Sequence, residues 1–171
     1  KLPKELQARR MQVIYRSTRC TFTDHTASGK SYQRDGYQRS DKELMRQGQS
    51  DFYVAKVPMD GGGACRWRLS NLTFGVKYGE PTLFGENVTF GAGGGVTVIF
   101  DRNNSPRGGA NIKVDGDLTI KKDYYPWVSE SFIGKYKKDV NLLSEGPDYF
   151  LTYQALQARQ VYFEPILHTD L

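Results

Sequence analysis

Short runs of β-forming residues, each closed off by Gly, Pro or Asn, recur along the whole 171-residue chain, and no long amphipathic helical stretch interrupts them. Asp51 to Met59, Cys65 to Tyr78, Val96 to Phe100, Asp117 to Lys121, Tyr124 to Val128, Lys135 to Leu143, Phe150 to Gln157 and Gln160 to His168 all read as strands. Seven or eight strands at this spacing predict an all-β fold with minor α content. The expected architecture is an antiparallel β-sandwich or open barrel with long loops. A chain of this length fits one domain and buries enough surface for a real core. Residues 1–10 read as an N-terminal arm or short helix, and residues 11–171 as the single β-rich domain.

The side-chain parity is informative within two of these runs. In the first, Tyr53, Ala55, Val57 and Met59 share one face. In the second, Cys65, Trp67 and Leu69 share a face, which places Trp67 in the core, but beyond Asn71 the apolar series becomes Leu72, Phe74, Val76 and Tyr78. A bulge or tight turn near Ser70-Asn71 produces that shift. The polar stretch from Thr23 to Ser50 gives no such signal and reads as a long irregular run, part of it helical, mobile or functional.

Cys20 and Cys65 are the only cysteines. Both fall in strand-like contexts, the count is even, and no metal-ligand cluster accompanies them, so a disulfide is expected, with two unrelated buried thiols as the alternative. A bridge places the protein in an oxidising compartment, periplasmic or extracellular. The chain starts at Lys1 instead of Met, which leaves room for a removed signal peptide or lipoprotein leader and for membrane tethering through it. The net charge of +5 is concentrated in residues 1–46, where eleven Lys/Arg face five Asp/Glu. Without a basic recognition helix or an aromatic nucleic-acid-binding strand motif, that excess gives no ground for a nucleic-acid partner.

Chemistry-bearing patterns are sparse. His25 and His168 are the only histidines and no Gly-x-Ser-x-Gly elbow occurs, so a Ser-His hydrolase has little to work with. No zinc spacing is present, and no cofactor is expected. Asp101-Arg-Asn103-Asn-Ser105 mimics the start of a calcium loop but lacks its sixth-position Gly and its terminal Glu, and reads as a turn. The glycines at 91–95 precede a strand, unlike a dinucleotide fingerprint. Asn71-Leu-Thr73 and Asn87-Val-Thr89 match the glycosylation triplet at a frequency close to chance. Asp115, Asp117, Asp123 and Glu130 interleaved with aromatics form the one enzymatic pattern, that of a carboxylate-dependent glycoside hydrolase.

What is abundant is aromatic surface material: 13% of the residues are Phe, Trp or Tyr. In Tyr124-Tyr125-Pro126-Trp127 three large rings cannot all point inward from one strand face, so an exposed recognition patch is expected there. Arg102 and Arg107, on the loop from Asp101 to Gly109, are its candidate companions. The general type is a non-enzymatic extracytoplasmic binding protein, a bacterial inhibitor or immunity protein that occludes a toxin or hydrolase. A glycan-binding module and a cell-envelope structural or assembly protein are the competing readings.

Overall fold

The computed structural model describes residues 1–103, 112–144 and 150–169. In chain order the strands are β1 (Leu6–Ala8), β2 (Met11–His25), β3 (Ser31–Lys42), β4 (Met45–Arg46), β5 (Tyr53–Val54), β6 (Asp60–Gly62), β7 (Trp67–Tyr78), β8 (Thr89–Phe90), β9 (Gly94–Ile99), β10 (Ile112–Lys113), β11 (Leu118–Ser131), β12 (Lys137–Leu143), β13 (Phe150–Gln154) and β14 (Val161–Leu167). One 3-10 turn, Pro81–Phe84, is the only helical element among the described residues. The all-β expectation holds.

The larger sheet runs β10-β13-β9-β7-β2-β3, with β1 and β6 also pairing to β7. A second sheet runs β14-β11-β12-β8, and β4 and β5 form a two-stranded ribbon. Not every pairing is antiparallel: β9 with β13, β10 with β13, β11 with β14, and β8 with β12 are parallel. Parallel neighbours need a crossover, and the chain between β9 and β13 supplies one by building β11 and β12 of the other sheet.

β9 is buried along its whole length, as a central strand covered on both faces must be. Its Thr97 faces Thr73 of β7, and the two hydroxyls hydrogen-bond at 3.0 Å, which satisfies polar groups that would otherwise be stranded in the core. One core cluster gathers Met11, Val13, Leu69, Leu72, Val96, Val98, Leu118 and Ile120, and a second gathers Leu2, Leu6, Val76, Tyr78, Tyr124, Val140 and Leu142. Phe163 of β14 packs against both and joins them.

The expected bulge is present. Ile14 pairs with Asn71 while Tyr15 pairs with Leu69, so Ser70 is the extra residue on β7, and Leu69 and Leu72 both reach the core across it. The disulfide is also present, with Cys20 and Cys65 Cα atoms 5.3 Å apart. Around it the local structure differs from a simple alternating strand: Cys65 lies in a turn, Arg66 has φ 50°, and β7 starts only at Trp67, which is half-buried. Trp67 packs against Gly36, where an added Cβ would lie 3.4 Å from the indole Cη2.

Three other regions depart from expectation. Residues 1–10 are neither a free arm nor a helix, because Leu2 and Leu6 are buried and β1 pairs with the end of β7. The polar stretch holds β3, which pairs with β2 in a long hairpin closed at His25 and Ser31. Both faces of β3 are almost wholly exposed, so its sequence carries no apolar period. Finally, the two runs at 117–121 and 124–128 are one strand, β11, whose inward series Leu118-Ile120-Lys122-Tyr124 includes a buried lysine with its ammonium 5.3 Å from the Tyr124 ring centre.

Candidate functional site

β11 and β12 are antiparallel from Tyr125 and Leu143 at the base to Ser131 and Lys137 at the tip. Strand alternation divides the predicted aromatic patch. Tyr124 continues the inward series, is 1% exposed, and packs into the second core, so it is no contact residue. Burial pushes its hydroxyl pKa well above the ordinary tyrosine value. Tyr125 and Trp127 take the opposite face. Tyr125 is half-buried and stacked on His168, with ring centres 4.9 Å apart and planes 18° apart. Trp127 is 59% exposed. The sequence pattern is therefore correct that the three rings cannot all be core, and the ring presented most openly is the third.

Beyond Trp127 the same hairpin carries residues the sequence reading passed over. Phe132 and Ile133 are 72% and 93% exposed, Tyr136 is 55% exposed, and the Phe132 and Tyr136 rings sit 5.2 Å apart across the turn. Gly134 holds φ 73° between them, the left-handed geometry a tight turn needs. A turn normally fills with polar residues, so Phe132-Ile133-Gly134 lying between two strand candidates was itself a signal of surface use. Lys135, Lys137 and Lys138 flank the apolar tip, and Lys137 reaches Asp139 at 3.6 Å.

The remaining candidates separate. Arg102 is exposed and borders a polar recess with Lys113, Asp115 and Gln154, away from the hairpin tip. Asp101 accepts a hydrogen bond from the Asn103 backbone N–H at 2.9 Å, an Asx turn. Arg107 and most of the Asp101 to Gly109 loop lie outside the described residues.

Three of the four carboxylates are spread along β11, Asp117 immediately before its first residue, while Asp115 lies two residues from Asp117 in the segment that leads into the strand. At about 3.4 Å per strand residue, Asp117 and Asp123 are about 20 Å apart, and Asp123 and Glu130 about 24 Å, whereas glycoside hydrolysis needs two carboxyls within about 10 Å. Asp117 and Asp123 also have structural work. Asp117 accepts hydrogen bonds from the backbone N–H groups of Arg159 (2.7 Å) and Gln160 (3.0 Å), which hold its carboxyl below the usual range. Asp123 meets His168 Nε2 at 2.7 Å, so His168 is anchored by a carboxylate and a tyrosine ring. The exposed His25 ring meets the hydroxyl of its cross-strand neighbour Ser31 at 3.1 Å. Among the described residues no group of three His, Cys, Asp or Glu side chains is placed to hold a metal. Asn71 of the first glycosylation triplet is 1% exposed and buried beside Ser70.

Compared with protein-family models, curated proteins and solved structures, the chain shows no match.

Proposed function

We propose that this chain is a non-enzymatic extracytoplasmic binding protein of the inhibitor or immunity type, which neutralises a secreted toxin or hydrolase by stoichiometric occlusion. The observation that carries the reading is the exposed apolar hairpin: Trp127, Phe132, Ile133 and Tyr136 all lie on β11, β12 and the turn between them. Large apolar side chains left in water have a cost that a docked partner removes, and aromatic rings give contact area at small entropy cost. The lysines around the tip match a partner with an acidic rim, which speeds encounter and fixes orientation. The Cys20–Cys65 bridge supports a periplasmic or extracellular setting.

A glycan-binding module draws less support. Sugar platforms need open ring faces, and Tyr125, two residues from Trp127 on the same strand face, is covered by His168. The spread of Asp117, Asp123 and Glu130 along β11 weighs against a glycosidase built on those three.

The reading is tested by placing a photo-crosslinking residue at Ile133 in cells that make the protein, identifying the crosslinked partner, and purifying the complex. A 1:1 complex in which a partner enzyme or toxin loses activity supports occlusion. Crosslinks confined to lipid or glycan, or a partner that stays fully active at saturation, contradict it.

A further inference from the structure

A cavity of about 300 Å³ lies between the inner face of the large sheet and β14, distant from the hairpin tip. Met11, Leu72 and Phe74 form its floor, Phe163 its far wall, and Val57 and Met59 part of its roof. The roof is the stretch from Tyr53 to Met59, in which Tyr53, Ala55, Val57 and Met59 are the more buried residues as their parity predicted, with Leu44 beside it. It and the residues leading into it are pinned at intervals: Leu2 donates its N–H to Asp51 O at 2.9 Å, Leu69 to Met59 O at 2.9 Å, and the Tyr15 hydroxyl donates to Pro58 O at 2.6 Å.

Protein interiors are close-packed, and an apolar cavity of about 150 Å³ already takes up benzene. A space of twice that volume, lined almost wholly by aliphatic and aromatic side chains, lies in the range of small-molecule sites. Its lining fixes the ligand's polarity. Among the lining residues only Lys1 and Arg159 are charged, both cationic, and no carboxylate takes part. The Arg159 guanidinium commits one N–H to Ala158 O at 2.9 Å, which leaves donors of its five for an anion. Of the carboxylates around it, Asp117 feels the Arg159 charge but is held by the backbone N–H groups of Arg159 and Gln160, and Glu164 carries the Tyr162 hydroxyl at 2.6 Å.

We propose that this cavity binds a single-chain amphiphile with an anionic head, a fatty acid with its alkyl chain between the sheets and its carboxylate at Arg159. The hydrocarbon replaces water along an apolar wall, and the guanidinium supplies a charge-assisted, bidentate partner for the head.

The test is calorimetric titration of the disulfide-bonded protein with dodecanoate and, separately, with dodecanol. Saturable 1:1 binding of dodecanoate is expected. Arg159→Gln should weaken dodecanoate by about 10-fold or more while changing dodecanol by less than about 2-fold, the signature of a lost charge-assisted hydrogen bond. Val57→Trp, which fills the roof, should reduce both ligands by about 10-fold or more. Ala55→Leu serves in its place if the larger residue lowers the thermal midpoint. No saturable binding to the wild-type protein overturns the proposal. So does a folded cavity-filled variant with wild-type affinity, or an Arg159→Gln loss that is equal for acid and alcohol.

Discussion

Tyr124 occupies the space in which a side chain on Gly94 would begin: a Cβ on that glycine would stand 2.2 Å from Tyr124 Cε1. This contact locks β11 of the small sheet against β9 of the large one and removes Tyr124 from the surface. Both residues are buried, so neither can yield cheaply. Gly94→Ala should destabilise the fold by about 1–3 kcal/mol, and Gly94→Val by more. Chemical denaturation measures it, and an unchanged midpoint would show that the sheets are not in contact at this point.

The disulfide has a polar neighbour that the sequence did not reveal. Ser17, 1% exposed, donates its hydroxyl to Cys65 O at 2.5 Å and accepts the N–H groups of Arg19 (3.2 Å) and Cys20 (3.0 Å). It thereby organises the irregularity in β2 between Ser17 and Thr21 that presents Cys20 to its partner. Ser17→Ala should cost about 1–3 kcal/mol, because it strands buried polar groups. Breaking the bridge should cost about 4 kcal/mol by the chain-entropy account for a loop of this length. The two losses should be less than additive, since both act on the same turn. Full additivity in a double-mutant cycle would separate them.

Asp117 gives a pH signature with a definite sign. Its folded-state pKa lies below the ordinary value, first through the Arg159 N–H and then through the Gln160 N–H. A depressed carboxyl contributes stability that is complete above the unfolded pKa of about 4 and disappears as pH falls through the folded value. Asp117→Ala should therefore lower the thermal midpoint at pH 7, with the gap to wild type closing in acid. A gap independent of pH would assign the effect to packing.

The parts of the fold that were readable are those with one wet face and one dry face. The Ser70 bulge showed as a parity break, and the roof from Tyr53 to Met59 showed as strict alternation, although only Tyr53–Val54 of it pairs as strand. β3 was invisible because both its faces are solvated, and β11 looked broken because Lys122 buries its stem and sets its ammonium near an aromatic ring on the inward face. Pairings between distant segments, such as β11 with β14, leave no local period at all. The aromatic site was half legible. Trp127 followed from ring crowding in Tyr124-Tyr125-Pro126-Trp127, while the hairpin tip was overlooked because its rings lie in a turn.

The hairpin accounts for binding only if its exposed side chains matter to the partner and not to the fold. The most direct measurement is the affinity of the isolated 1:1 complex, by calorimetry, for wild type, Trp127→Ala and Ile133→Ser. The account predicts that Trp127→Ala weakens binding by more than about 10-fold, that Ile133→Ser weakens it as well, and that both keep the wild-type thermal midpoint. Wild-type affinity in both variants would contradict it.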